Sequence, residues 1–162
     1  MERLWTPWRF AYVSGEAPKG CILCEKWSSD QDRSNLVLLR GERAYILMNL
    51  FPYNPGHVMV SPVEHIATLP ALDPATRAEI FELASLATEV LGHVMRPSGF
   101  NLGMNLGRSA GAGITDHLHL HIVPRWEGDT NFMPLLANTR VLPETLSQTY
   151  DKLRPAFEAA RR

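Results

Sequence analysis

The sequence predicts an α+β fold with a β-rich first half, one long helix, further strands and a C-terminal helix. Two apolar runs, 35–40 and 44–49, flank Gly41-Glu42-Arg43, which is typical of a β-hairpin with a three-residue loop. After Asp73-Pro74, apolar residues recur at helical spacing for about 22 residues. Strict alternation at 117–123 then indicates another strand.

Length and charge limit the classes of function that the chain can have. The 162 residues suit one domain with a sizeable core, and 16 basic against 17 acidic residues give a formal net charge of −1. This balance argues against general binding to nucleic acid or anionic membranes. No apolar run approaches the roughly 18 residues of a membrane span, and residues 1–9 lack the hydrophobic core of a signal peptide. We therefore expect a cytoplasmic protein with neither nucleic acid nor membrane as a partner.

The elements follow in order from the sequence. Residues 1–20 are rich in aromatic side chains and have neither a helical nor a strand period. A turn-rich loop at 52–57 leads into a strand at 57–61. Asp73 is the expected N-cap of the long helix, with proline at its first position, and 96–99 end it.

The second half adds two strands, a loop and a helix. Residues 100–105 are predicted as a strand, 106–113 as a glycine-rich loop and 117–123 as a strand. Apolar residues from 146 to 157 indicate a C-terminal helix, and we expect Pro155 to bend or interrupt it.

Alternation places His117, His119 and His121 on one face of a strand, roughly 6.7 Å apart from one to the next. A neutral imidazole is a nucleophile, a proton donor or acceptor, and a metal ligand. The alternatives are a polar strand that faces solvent, or a catalytic metal held by all three imidazoles. The second is disfavoured because alternate side chains of one extended strand spread too far to reach one ion.

The loop Gly107-Arg-Ser-Ala-Gly-Ala-Gly113 could bring backbone N–H groups close to phosphate oxygens. It lacks the Lys-Ser/Thr ending of a P-loop, so an ordinary nucleoside triphosphatase is disfavoured. A flexible surface loop is the alternative.

The pattern His-apolar-His-apolar-His-apolar-apolar at 117–123, followed by Pro124-Arg125, resembles the signature of the histidine triad (HIT) hydrolases and transferases. Asn49-Leu-Phe-Pro-Tyr-Asn-Pro-Gly-His57 and Asn105-Leu-Gly107 extend the resemblance, which covers about 35 to 132. The segments 4–9 and 124–132 are similar to bacterial diadenosine tetraphosphate phosphorylases and their close relatives.

The resemblance implies a HIT-like fold, with a mainly antiparallel sheet of about five strands, a long helix packed on it and a C-terminal helix. It also implies a homodimer. We expect one HIT domain over 1–162, in which 1–34 form an aromatic arm and zinc knuckle, 35–132 the HIT core, and 133–162 a C-terminal segment with its helix.

The resemblance also implies roles for single residues. His119 attacks the α-phosphorus and becomes a nucleotidyl-histidine, His121 donates to a non-bridging phosphate oxygen, and His57 supports them. The substrate-binding groups are Asn49 at the ribose hydroxyls and, at the phosphates, Asn105 with the backbone of Gly111, Ala112 and Gly113. Many members place Gln or Ser where this chain has Gly113, so a side-chain contact to the leaving group is lost here. Asp116 either tunes a histidine or is solvated.

Cys21 and Cys24 are the two cysteines of the chain, and their spacing suits a metal or redox pair. A thioredoxin-like pair is disfavoured because no strand precedes it and no βαβ pattern follows. Zinc-bearing members of the family and the related galactose-1-phosphate uridylyltransferases imply that His65 and His117 complete a structural zinc site. No organic cofactor is expected.

These features lead us to expect an enzyme that cleaves a dinucleoside polyphosphate, such as diadenosine tetraphosphate or triphosphate, through nucleotidyl transfer to His119. Arg108 and Arg125 are the nearest cations in sequence, although Arg125 could equally be a structural ion-pair partner. Together with the phosphorylase-like segment 125–132, they favour orthophosphate as the acceptor, with water as the alternative. Two other functions remain open: a nucleotide-binding sensor, and a nucleoside phosphoramidase that acts on another adenylated substrate.

Overall fold

A computed structural model of the chain describes residues 20–129 and 143–161. Five antiparallel strands form one sheet in the order β1-β2-β3-β5-β4. The strands are β1 Val37–Arg40, β2 Ala44–Met48, β3 Val58–Pro62, β4 Gly99–Gly103 and β5 Leu120–Arg125. The helices are α1 Ile22–Ser28, α2 Asp32–Asn35, α3 Pro74–Met95 and α4 Leu146–Ala160. The predicted α+β, HIT-like architecture is confirmed.

The first hairpin forms as predicted, with Gly41 N–H donating to Ala44 O at 2.9 Å across the three-residue loop. A helical turn, α2, occupies the position where the sequence predicts the start of β1. Leu36 has φ 59° and leaves the turn in the left-handed region, so the strand begins at Val37 rather than at Asn35.

Helix α3 has the predicted bounds and cap. The Asp73 carboxylate accepts from the N–H groups of Ala75 and Thr76, at 2.9 and 3.1 Å, and Pro74 fills the first position. Arg96 ends the helix at φ 51°, where its N–H donates to Gly92 O. The buried face of α3, which packs on the sheet, consists of Thr76, Ile80, Ala84, Ala87, Val90 and Leu91.

The sheet has a core on each face. Helices α3 and α4 cover one face and contribute Leu91 and Phe157 to the larger cluster. Helix α1 covers the other face, where Leu23 packs with Tyr45 and Met59 and the Tyr45 hydroxyl donates to Leu23 O at 2.7 Å. Strands β2 and β3 are therefore buried on both sides.

Helix α4 begins with a capping box between Thr145 and Gln148 and continues through Pro155 to Ala160. The expected interruption at Pro155 is wrong, because buried side chains on both sides of the proline hold this helix against the core. Along the outer side of β1, Arg154 donates to the carbonyls of Val37 and Leu38 at 3.1 Å. The Tyr150 hydroxyl also donates to Val37 O at 3.1 Å.

Strand β5 starts at Leu120 instead of His117. Just before it, Leu118 N–H donates to Ile66 O at 2.7 Å, outside the strand ladder. The pairing of β4 with β5 sets Gly103 opposite His121, which places the start of the glycine-rich loop beside the histidines. Residues 1–19 of the aromatic segment lie outside the described residues. Within the described residues, no helix is long and apolar enough to cross a membrane.

Candidate functional site

Two of the three histidines are buried, and a carbonyl fixes the tautomer of the middle one. His119 Nδ1 lies 2.9 Å from His117 O. Because a carbonyl only accepts, Nδ1 carries the proton and the lone pair of the neutral ring is on Nε2. No buried side-chain nitrogen among the described residues lacks a partner, and His119 Nε2 has no protein partner, so this atom reaches the surface. The geometry leaves a nucleophilic nitrogen accessible.

A second pair of hydrogen bonds orients His121. Tyr53 N–H donates to His57 Nδ1 at 3.1 Å, so the proton of neutral His57 is on Nε2. That Nε2–H donates to His121 Nδ1 at 2.9 Å, which leaves His121 with its proton on Nε2. Burial, together with the neighbouring His119, lowers the pKa of His121 to about 4. His121 is therefore neutral near pH 7 and presents an N–H donor.

The rings of His119 and His121 lie side by side. Their centroids are 4.8 Å apart with planes at 76°, an edge-to-face arrangement. The Tyr53 ring packs 4.7 Å from His57 and 6.1 Å from His121, and it is half exposed. Tyr53 is not among the residues that the sequence predicts for the site. Its position four residues before His57 in the turn-rich loop is the signal that the sequence offers for it.

Asn49 lies against the same ring system. Its amide nitrogen is 3.4 Å from both ring nitrogens of His57, and its Oδ1 accepts from Phe51 N–H at 2.9 Å. The side chain is half-buried. One lone pair of Oδ1 and at least one of the two amide hydrogens remain for a ligand.

The glycine-rich loop is a short 3-10 turn between Gly107 and Gly111, whose φ angles of 83° and 84° strongly favour glycine. Gly111 N–H donates to Arg108 O at 3.0 Å, and Ala112 N–H to Gly107 O at 3.4 Å. The N–H of Gly113 has no protein acceptor among the described residues. A Cβ placed on any of the three glycines would meet no atom within 4 Å, so the space beside this backbone is open. Asn105, half-buried, lies at the entry to the loop.

The predicted metal ligands converge at the other end of the histidine row. His117 Nδ1 lies 3.2 Å from Cys21 Sγ and 3.4 Å from Cys24 Sγ, and His65 Nδ1 lies 3.4 Å from Cys24 Sγ. All four ligand atoms are within 4.8 Å of one another. His117 Nε2 donates to Pro62 O at 2.9 Å, so Nδ1 has a free lone pair.

This donor set fits a tetrahedral ion. Bonds of about 2.0–2.3 Å to nitrogen and sulfur separate neighbouring ligand atoms by roughly 3.3–3.8 Å, close to the distances found here. Two thiolates and two imidazoles are a ligand set that zinc takes in structural sites. His119 and His121 are not in this cluster, which agrees with the argument against three histidines on one ion. Asp116 is 68% exposed and its Oδ2 lies 3.8 Å from His65 Nε2, beside the cluster.

The two arginines near the histidines differ in their contacts. Arg125 Nε and Nη2 donate to the two carboxylate oxygens of Asp129 at 2.7 and 2.8 Å, and its Nη1 donates to Asn101 Oδ1 at 2.7 Å. Asn54 Nδ2 donates to Asp129 Oδ2 at 2.8 Å. Arg108 is exposed, and its side chain forms no hydrogen bond or ion pair among the described residues.

Comparison with known proteins places these features in a family. The HIT domain model matches residues 31–128. The AP-4-A phosphorylase of Mycobacterium tuberculosis is 40% identical over 158 residues, which cover 92% of this chain and 80% of that protein.

Two solved structures have the same fold. The zinc-bound histidine triad family protein of Mycobacterium smegmatis has a TM-score of 0.69 at 24% identity and covers 86% of this chain and 94% of its own. The histidine triad nucleotide-binding protein of Sulfolobus tokodaii has a TM-score of 0.65 at 25% identity, with coverage of 86% and 91%. With its histidine row, its antiparallel sheet and these matches, the chain belongs to the HIT family.

Proposed function

We propose that this protein is a nucleotidyltransferase that cleaves dinucleoside polyphosphates through a covalent intermediate on His119. The observation that carries the proposal is the hydrogen bond from His119 Nδ1–H to His117 O, which leaves an accessible lone pair on Nε2. The relation to an AP-4-A phosphorylase at 40% identity supports diadenosine tetraphosphate as the substrate.

In the first step, His119 Nε2 attacks the α-phosphorus and a P–N bond forms. The P–O bond to the rest of the polyphosphate breaks, and with diadenosine tetraphosphate the leaving group is ATP. The Nδ1–H of His119 stays hydrogen-bonded to His117 O, and this hydrogen bond stabilises the positive charge that develops on the ring. The Nε2–H of neutral His121 donates to a non-bridging oxygen, where negative charge increases.

The remaining residues of the site are assigned to substrate binding. We assign Asn49 to the ribose hydroxyls through one amide hydrogen and the remaining lone pair of Oδ1. The phosphates are assigned to Asn105, Gly111, Ala112 and Gly113. Among these, the Gly113 N–H is the backbone donor without a protein acceptor, in open space. His57 positions His121 and does not itself contact substrate.

In the second step we assign orthophosphate as the acceptor, which gives ADP and ATP as the products of diadenosine tetraphosphate. An orthophosphate oxygen attacks the phosphorus, the P–N bond breaks, and its electron pair returns to His119 Nε2. The relation to a phosphorylase supports this acceptor over water.

The reaction in labelled orthophosphate tests the function. The wild-type protein should place label in ADP, and acid-quenched samples should contain a nucleotidyl group on His119. His119→Ala should lose on the order of 10³-fold or more in turnover and still bind nucleotide. His93→Ala, which removes an exposed histidine in the last turn of α3, is the matched control. Normal turnover by folded His119→Ala would contradict the mechanism, and binding without any trapped intermediate would favour the sensor.

We further propose zinc at Cys21, Cys24, His65 and His117, where two thiolates and two imidazoles match its ligand preference. The ion would cross-link α1 to the sheet, and it would take no part in the transfer steps. Thiolate ligands of this kind suit the reducing cytoplasm, where we place the protein.

We also propose that two copies of the chain pair along β4. This strand is at the edge of the sheet, its last three residues are exposed, and Leu102 is 47% exposed. Light scattering during size exclusion should give the mass of a dimer. Leu102→Asp should give a monomer with unchanged helical content if this edge forms the interface.

A further inference from the structure

We propose that Arg108 binds the phosphate group that leaves in the first step and the orthophosphate that replaces it in the second. The inference rests on the proposed nucleotidyl transfer to His119 and adds the residue that selects the acceptor. It starts from an electrostatic requirement. Orthophosphate and the phosphorus centre of the intermediate are both surrounded by anionic oxygens, so their approach needs a cation between or beside them.

Arg125 does not meet this requirement. Both carboxylate oxygens of Asp129 accept from its guanidinium, and Asn101 accepts from a third N–H. A bidentate pair with a carboxylate uses the same edge of the guanidinium that would bind phosphate. Arg125 therefore holds the segment after β5. Of the two arginines nearest the histidines in sequence, Arg108 remains as the cation that could bind phosphate.

The loop that carries Arg108 begins beside the histidines. Gly103, opposite His121 in the β4–β5 pair, is five residues before Arg108. The loop then turns tightly at Gly107 and Gly111 and returns to His117 and His119. An exposed arginine at the tip of this turn, without an acidic partner among the described residues, keeps its guanidinium available to a ligand.

One anion position serves both steps. In each displacement the P–N bond to His119 lies opposite the bond to the other group. The oxygen that leaves and the oxygen that attacks therefore occupy the same side of the phosphorus. In the second step orthophosphate forms a P–O bond there, the P–N bond breaks, and neutral His119 is restored with its proton still on Nδ1. The proton that orthophosphate carried leaves with ADP.

The replacement at position 113 makes the arginine more important. Gly113 has no side chain to contact the leaving group, and its neighbours in the loop are small. Arg108 is the cationic side chain of the loop and can bind two phosphate oxygens at once.

Steady-state kinetics with diadenosine tetraphosphate and variable orthophosphate tests the inference, using Arg108→Ala, Arg108→Lys and Arg161→Ala. Arg161 is exposed at the end of α4 and controls for the loss of one positive charge. Arg108→Ala should raise the KM for orthophosphate about ten- to hundredfold, the effect of losing a charge-assisted contact. It should also shift the product ratio from ADP toward AMP. Arg108→Lys should restore part of the affinity, and Arg161→Ala should match the wild type.

The outcomes separate this inference from the proposed function. An unchanged orthophosphate KM and ADP-to-AMP ratio in Arg108→Ala would overturn the role of Arg108 while transfer to His119 stands. Wild-type protein that traps a nucleotidyl group on His119 but releases AMP alone at every orthophosphate concentration would also overturn it. Failure to form any nucleotidyl group on wild-type His119 would overturn the proposed function.

Discussion

At the scale of single residues, backbone carbonyl and amide groups fix which ring nitrogen of each histidine carries the proton. Pro62 O fixes the Nε2–H of His117, and His117 O fixes the Nδ1–H of His119. Tyr53 N–H fixes the tautomer of His57 and, through it, that of His121. The three histidines thereby present different groups, namely a lone pair on Nδ1 at position 117, a lone pair on Nε2 at position 119 and an Nε2–H donor at position 121.

These assignments predict the nitrogen NMR spectrum of the histidines. Long-range nitrogen–proton correlations at pH 7 should show His119 protonated on Nδ1 and His121 on Nε2. On acidification, His121 should stay neutral until about pH 4, because burial disfavours its charged form. Since the ordinary pKa of histidine is about 6.5, the unfolded chain takes up this proton first. The stability from neutral His121 is therefore complete above about pH 6.5 and is lost as the pH falls toward 4.

Selective labelling of the histidine rings simplifies the spectrum, and His121→Gln identifies the His121 signal by removing it. A His121 ring that titrates near its ordinary pKa would contradict the assignment.

The sequence predicts which residues form the site better than it predicts their tautomers and hydrogen-bond partners. Periodicity and spacing are sufficient to select His117, His119 and His121 as a group. The tautomers of His117 and His121 depend on Pro62 and Tyr53, which are distant from them in sequence and approach them only in the folded chain. The same holds for Asn101, which meets Arg125 only once β4 pairs with β5.

At the scale of elements, a side chain of α3 binds the loop of the first hairpin. Glu79 Oε1 accepts from the N–H groups of Glu42 and Arg43 at 2.8 and 3.0 Å and from that of Ala44 at 3.3 Å. This carboxylate satisfies N–H groups of the loop that the ladder leaves unpaired. It thus joins the long helix to the turn between β1 and β2.

Glu79→Ala should therefore lower the free energy of unfolding by about 1–3 kcal/mol, the cost of removing a charged acceptor from several donors. Chemical denaturation monitored by circular dichroism measures the difference. Glu82→Ala, three residues later at an exposed position of the same helix, should change stability by less than about 0.5 kcal/mol. Equal effects of the two variants would show that the contact contributes nothing.

The elements that the sequence does not predict are the short helices α1 and α2. Each has too few residues for a helical period, and tertiary contacts stabilise both. Arg40 donates to the carbonyls of Trp27 and Ser29 at 2.5 Å and to Asp32 Oδ1 at 2.9 Å, which caps one helix and anchors the other. In contrast, α3 and the first hairpin carry strong local signals, namely an N-cap with proline and a loop between apolar runs.

At the scale of the whole molecule, the Cys and His cluster connects segments that are far apart in sequence. Cys21 and Cys24 come from the start of the described chain, His65 follows β3, and His117 precedes β5. Helix α1 covers one face of the sheet through Leu23, so the proposed ion at the cluster would fix that helix against the sheet.

We expect about one zinc per chain after purification without chelators, measured by atomic emission. A strong chelator should lower the midpoint of thermal unfolding, because binding of a structural ion contributes directly to folding stability. A variant with both Cys21→Ser and Cys24→Ser should have a low midpoint that the chelator no longer changes. The nucleotidyl transfer rate of the folded fraction should change less than the midpoint does. A metal-free preparation with an unaltered midpoint would remove His65 and His117 as ligands.

The contacts of α4 with β1 also limit how the protein can assemble. Arg154 and Tyr150 occupy carbonyls along the outer side of β1, so this end of the sheet does not offer a free row of acceptors. Strand β4, at the opposite end, is exposed. A sheet that is open at both ends can add copies without limit, whereas a sheet closed at one end can join only one further copy. If two copies pair through β4 as proposed, the edge of β1 that α4 occupies limits the assembly to two chains.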